Sequence, residues 1–244
     1  MQRPVPIVLV KNDEYWLPFA LHVLSGKFDK YVLYDVGSED CTRSILESFI
    51  HENKKYADIF HRFLPDCPPA VQGAFRNSMF AEARADWLFM VDADEVYHPA
   101  DIELIRNMGF DLDAAAQEGV LYGVFRRLEY AHDLRNVYSG RRTHHRLYHR
   151  TAVFTGTHPG EAPLVEQSRH NEIDFPHITC HHFHNAERTS LGDAATHGRV
   201  RRKAQHTYRP GELQPTELLS SLPVLQYSFG FPVAPALSVL RGDL

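Results

Sequence analysis

Asp92, Asp94 and Glu95 stand together directly after the apolar run Trp87-Leu88-Phe89-Met90-Val91. Hard carboxylate oxygens in that spacing suit Mg²⁺ or Mn²⁺, and such an ion can in turn hold phosphate oxygens. A plainer reading competes with this one. Acidic residues after a strand often cap the next helix, and Asp101 is available for that task. Sixteen histidines are scattered along the chain, and only His181-His182-Phe183-His184 is dense enough to suggest a site. On a strand, His182 and His184 share one face while His181 takes the other. Stacked histidines in a polar sheet region would produce the same pattern. The basic run Arg199, Arg201, Arg202 and Lys203 reads as a solvated helix face.

The elements that position these residues can be read in order. The run at Trp87 lacks polar alternation, which predicts a strand buried on both faces. In open α/β sheets ligands sit beyond the carboxyl ends of such strands, so the acidic residues should emerge at the mouth of the sheet. Before it, strands are expected at Val5–Val10, Tyr31–Tyr34 and Ile59–Phe63. Helices are expected from about Glu14 to Ser25, with Asp13 as cap and Gly26 as stop, and from Asp40 to about Asn53. A third helix runs through Phe75, Met79 and Ala83. This alternation predicts an α/β sheet with right-handed crossovers. After a helix at Asp101–Met108 and an alanine-containing linker, strands follow without helices between them. They fall at Val120–Glu129, Arg146–Arg150, Thr151–Thr157 and Ile178–Phe183. That half should add antiparallel strands to the same sheet. A helix from Arg188 to Gln205 and a helical C-terminal segment complete the α/β reading.

Composition narrows the function classes. With 244 residues, 43% hydrophobic and 23% charged, the chain reads as an ordinary globular protein with a substantial core. A net charge of -5 argues against a dedicated nucleic-acid binder. Cys41, Cys67 and Cys180 form no CxxC pair, which fits a reducing cytoplasm better than a disulfide framework. The N-terminus has no signal-peptide pattern. Residues 218–240 carry no charge, but Pro223, Pro232 and Pro235 argue against a membrane-spanning helix. A packed segment is expected there, with a peripheral membrane or partner contact as the second reading.

Three ordered stretches carry a family resemblance. They are Val10-Lys11-Asn12-Asp13-Glu14, then Asp35-Val36-Gly37-Ser38-Glu39-Asp40-Cys41-Thr42, then Asp92-Ala93-Asp94-Glu95. Together they resemble the nucleotide-sugar half of the large inverting glycosyltransferase family 2, with its GT-A (Rossmann-like) fold of a mixed sheet flanked by helices. Further on, Arg146-Leu147-Tyr148, Gly156-Thr157-His158-Pro159-Gly160-Glu161 and His181-His182-Phe183-His184 are similar to the branch of lipopolysaccharide-core β-glycosyltransferases. The resemblance implies a nucleotide-sugar-binding half at 1–99, an acceptor and catalytic half at 100–210 and a tail at 211–244. It implies a nucleoside-diphosphate sugar as donor, a UDP-sugar first among them, and a glycan or glycolipid acceptor. Mn²⁺ or Mg²⁺ would be held by Asp92 and Asp94, with His182 or His184 completing the coordination. Asn12, Glu14, Asp35, Ser38, Asp40, Arg76 and Asp92 would hold the donor.

Inversion also needs a general base on the acceptor hydroxyl. Glu161 falls near the family's His-Glu position, although Pro159 and Gly160 separate it here from His158. Glu95 and Asp133 are the reserves. Two other readings stand beside this one. A nucleotidyltransferase is disfavoured because Lys11-Asn12-Asp13-Glu14 takes the place of a glycine-rich phosphate loop. A non-catalytic nucleotide-sugar-binding scaffold is disfavoured by the intact Asp92/Asp94 pair.

Overall fold

A computed structural model describes residues 3–66, 71–139, 142–155, 162–163, 171–192, 213–231 and 235–242. The first part alternates strands and helices: β1 (Val5–Val10), α1 (Leu17–Leu24), β2 (Lys30–Val36), α2 (Thr42–Asn53), β3 (Asp58–Leu64), α3 (Gln72–Ala83) and β4 (Trp87–Asp92). Then come β5 (Glu95–Tyr97), α4 (Pro99–Asn107), α5 (Gly109–Gln117), β6 (Tyr122–Glu129), β7 (Asn136–Tyr138) and β8 (Arg142–His149). The short strands β9 (Phe154–Thr155) and β10 (Ala162–Pro163) precede the long β11 (Glu172–His182) and the short β12 (Leu213–Pro215).

Eight strands form one mixed sheet in the order β3-β2-β1-β4-β8-β6-β11-β5. The β3-β2-β1-β4 half is parallel throughout. β8 joins β4 and β6 antiparallel, β11 runs parallel to β6, and β5 returns antiparallel to β11. The fold class expected from the sequence is the one observed. From β1 the chain steps to β2 and β3 on one side, then crosses to β4 on the other. The crevice at that reversal, beyond the ends of β1 and β4, is where an open α/β sheet receives ligands.

Burial explains the central elements. β1 and β4 are apolar because helices cover both faces, and Val8, Leu88 and Phe89 have no exposed surface. α1 is buried at every position except His22, so it lies under a second layer rather than at the surface. Part of that layer is the uncharged tail. Leu218, Leu222, Val224, Leu225 and Leu237 are buried in the same cluster as α1. Phe229 meets Phe19 edge-on at 5.0 Å. Among the described residues no helix is long and apolar enough to cross a membrane.

Several boundaries differ from expectation. α1 starts at Leu17 rather than Glu14, and no side chain caps it; Asp13 is engaged elsewhere, as shown below. The turn after β4 folds straight into β5, a strand too short to show a sequence pattern. The next helix is capped by the His98 side chain, which accepts from Ala100 N at 3.1 Å. Asp101 therefore does not cap it; its carboxylate accepts from Thr179 N on β11 at 3.1 Å. The alanine-containing linker is the helix α5. Residues 188–192 are turn and loop, not the start of a helix; the remainder of that expected helix, with its basic run, lies outside the described residues.

Candidate active site

Three loops meet at the carboxyl ends of β1, β2 and β4, and hydrogen bonds tie the first two together. Asn12, in the left-handed region at φ 53°, donates from its N–H to Ser38 Oγ at 3.0 Å. Its side-chain oxygen accepts from Glu39 N at 2.8 Å. Asp13 N donates to Thr42 Oγ1 at 2.7 Å, and Glu14 Oε2 accepts from Cys41 N at 3.1 Å. Asp40 accepts from Thr42 N at 2.9 Å, and Asp35 accepts from Ser38 N at 2.9 Å. Gly37 has φ +88°, and a Cβ there would lie 2.4 Å from the Asp66 backbone, so only glycine lets the second loop turn against 65–66. Burial raises the Asp35 carboxyl above its ordinary value despite the Ser38 bonds. Asn12, Glu14, Ser38 and Asp40 thus shape these loops through bonds to neighbouring loop residues.

Beyond β4, two clusters divide the acidic residues. In the first, the Arg146 guanidinium from β8 lies between Asp92 and Glu95. Its Nε donates to Glu95 Oε1 at 2.9 Å and its Nη2 to Asp92 Oδ2 at 2.7 Å. Arg76 from α3 adds an ion pair to Asp92 at 3.7 Å. Burial would raise the Asp92 carboxyl, but Arg146 and Arg76 outweigh it and hold it below the usual range. Glu95 is fully buried, and burial raises its carboxyl even beside Arg146. His144 Nδ1 lies 3.1 Å from Glu95 Oε1 without hydrogen-bond geometry, and burial, then Arg146, keep that imidazole neutral. Glu95, His144 and Cys180 have ligand types for a metal. Arg146 already supplies the positive charge there, and burial pushes the Cys180 thiol up, away from the thiolate a metal needs. That cluster does not suit a cation.

The second cluster is built around Asp94. The turn Ala93–Asp94 leads into β5, whose pairing sets Glu95 opposite His182, and Phe183 N donates to Asp94 O at 2.8 Å. This register brings Asp94 Oδ2 within 3.8 Å of both His182 Nε2 and His184 Nδ1. The two imidazoles stack at 4.9 Å. Asp94 Oδ2 is buried and has no hydrogen-bond partner among the described residues. Arg188 Nη1 approaches it at 3.1 Å, while the rest of that guanidinium bonds Asp13 Oδ1. Burial would raise the Asp94 carboxyl; Arg188, then His182 and His184, outweigh it and hold it well below the usual range. For His182 burial wins over Asp94, and its pKa falls to about 4, which leaves the ring neutral at pH 7. Trp16 supports the cluster from behind. It stacks on Phe183 at 4.0 Å with ring planes 2° apart, and its Nε1 donates to Glu187 O at 2.7 Å.

The structure thus brings together Asp94, His182 and His184 from the sequence-derived set, and seats Asp92 on arginines beside them. Glu95, a reserve base, is fully buried and bonded to Arg146, so it positions that guanidinium. Asp133, the other reserve, accepts from Arg135 N and Asn136 N at 3.0 and 3.2 Å as a turn residue. Glu161 and its neighbours His158, Pro159 and Gly160 lie outside the described residues. Sequence reasoning missed the roles of Arg188 and His144, and quoted Arg146 without a partner.

The family model for Glycosyl transferase family 2 matches residues 7–161. No curated protein matches the chain. Among solved structures it is similar to S. aureus TarS, at 18% identity over 52% of this chain and 22% of that one, with a TM-score of 0.39. It is similar to residues 1–349 of S. aureus TarS in complex with UDP-GlcNAc, at 20% identity over 53% and 34%, TM-score 0.38. It is also similar to GalNAc-T7 with UDP, GalNAc and Mn²⁺, at 11% identity over 78% and 45%, TM-score 0.46. The chain spans less than half the length of each of these structures.

Proposed function

The chain belongs to Glycosyl transferase family 2, and on that premise we propose that it moves a sugar from a nucleoside-diphosphate sugar to an acceptor hydroxyl with inversion. The observation that carries the reading is Asp94 Oδ2, a buried acceptor with no hydrogen bond, facing two imidazole nitrogens at 3.8 Å each. A carboxylate with two imidazoles fits Mn²⁺, or Mg²⁺ if water fills more positions, with Asp94, His182 and His184 as ligands. Bound there, the ion supplies Lewis-acid stabilisation of the charge that develops on a departing diphosphate.

The chain's own residues set the stage. Burial keeps His182 neutral and its lone pair available. Arg146 and Arg76 keep Asp92 ionised and fixed, with its side chain part-exposed. Asp35, at the end of β2, takes the base or ribose of a UDP-type donor. Residues 1–99 act as the donor half, 100–210 as the acceptor half, and 211–244 as a tail. Glu161 is the general base, and Glu161→Gln should keep donor affinity while slowing transfer by ~10²–10⁴-fold. The motif resemblance supports a glycan or glycolipid acceptor, nearest to lipopolysaccharide-core chemistry, and the cysteine usage supports a cytoplasmic reaction.

A thermal-shift screen of nucleoside diphosphates and their sugars, each with and without Mn²⁺, tests the proposal. One nucleotide should raise the melting temperature in a metal-dependent way, and Asp94→Ala should erase the metal-dependent part. No shift with any nucleotide would sink the transferase reading and favour a scaffold.

A further inference from the structure

The oxygen that would receive the metal already faces a positive charge. We infer that Arg188 is a resident counter-ion that weakens metal binding at Asp94 and thereby sets the affinity of the site. The inference rests on the proposed seat at Asp94, His182 and His184.

Arg188 and Asp94 are both almost fully buried, and Arg188 Nη1 lies 3.1 Å from Asp94 Oδ2. That is the same oxygen that stands 3.8 Å from His182 Nε2 and from His184 Nδ1. The contact lacks hydrogen-bond geometry, so Arg188 neutralises the carboxylate without occupying its lone pairs. Asp94 and Asp13 share this one guanidinium, and the Asp94 Oδ2 lone pairs stay available to a cation. A guanidinium cannot discharge by losing a proton at any working pH.

Nor can Arg188 easily drift away. Its Nε and Nη2 bond Asp13 Oδ1, and Asp13 is itself fixed by Thr42 and by Lys11 N. The backbone around it is held as well. Arg188 O accepts from Tyr15 N at 3.0 Å, Glu187 O accepts from Trp16 Nε1 at 2.7 Å, and Ser190 N donates to Glu14 at 2.6 Å. A divalent ion entering the seat therefore meets a positive charge held beside the same carboxylate oxygen it would bind. In a low-dielectric setting such repulsion is screened weakly. Two histidines and a carboxylate with an arginine beside them would then give a weaker metal site than the same three ligands without it.

Calorimetric titration with MnCl₂ alone, without nucleotide, decides the matter. Arg188→Gln removes the charge while keeping donors for Asp13, and should bind Mn²⁺ at least about tenfold more tightly than the unaltered protein. The double variant Asp13→Asn with Arg188→Gln removes the buried ion pair in case the single change fails to fold, and should tighten binding by a smaller factor, because the Asp13 charge is lost with the arginine that contacts Asp94 Oδ2. Arg188→Lys retains the charge and should stay within about threefold of the unaltered protein. Wild-type affinity in the folded neutral variants, or tightening in the lysine variant as well, would overturn the inference and leave the metal site standing. No binding heat in any protein would overturn the metal site itself. In the unaltered protein, Mg²⁺ should also shift the Arg188 Nη1 signal by NMR while leaving Nε, on Asp13, in place. An unmoved Nη1 signal at saturating metal would overturn the inference without any substitution.

Discussion

Asp92 and Asp94 are separated by one alanine, yet they sit in opposite surroundings. Asp92 shares the Arg146 guanidinium with Glu95 and takes a second arginine from α3, so donors and charges there are matched. Asp94 shares Arg188 with Asp13, and its Oδ2 has no hydrogen bond and faces two stacked imidazoles. The first arrangement has what a stable buried network needs. The second is under-filled in a way that costs stability unless something else binds. Adjacent acids in a sequence can therefore divide the labour, one holding the sheet mouth together and the other left for a ligand.

The contrast can be broken most severely at Arg146. Arg146→Ala leaves Glu95 and most of Asp92 without a counter-ion in the interior, and should cost about 3–5 kcal/mol in urea unfolding. A loss under about 1 kcal/mol would mean that the Asp92 side is not held by its arginine. A smaller effect should come from the other face of the histidine strand. His181 points away from Asp94 and contacts Tyr130 Oη at 2.8 Å. Burial, then His98 and Arg126, push its pKa down to about 4 from 6.5. The unfolded chain binds that proton near pH 6.5 and the folded one only near pH 4. Stability is therefore full above pH 6.5 and falls as the pH drops through that window, by up to about 3 kcal/mol. Urea unfolding at neutral and at acid pH should show this loss in the unaltered protein and less of it in His181→Gln; equal losses would place the acid sensitivity elsewhere. The smallest effect is expected at Arg76, 3.7 Å from a part-exposed Asp92. Arg76→Ala should cost under about 1 kcal/mol, and a loss rivalling that of Arg146→Ala would reassign the main counter-ion.

The parallel half was legible because its strands are unbroken apolar runs separated by turn residues, which burial on both faces demands. The acidic turn and the His182/His184 pair were legible as local clusters, although β11 ends at His182 and His184 stands in the turn beyond it. β5 was not, since three residues show no period, and α5 was hidden behind Gly109 and a weakly patterned alanine run. The arginines were illegible for a different reason. Arg146 meets Glu95 across 51 residues and Arg188 meets Asp13 across 175, and a sequence shows charge but not partner. Asp13 illustrates the cost: its position suggested a helix cap, and its contacts make it the anchor of Arg188.

The stack of Trp16 on Phe183 gives the site an optical readout. The chain has two tryptophans, and both are buried. Trp16 lies against the residue between His182 and His184 and is hydrogen-bonded to the carbonyl just before Arg188. With Trp87→Phe, a single emitter remains, and its fluorescence should be quenched by paramagnetic Mn²⁺ far more than by Mg²⁺. Occupancy of the seat could then be followed in a cuvette, without label or substrate.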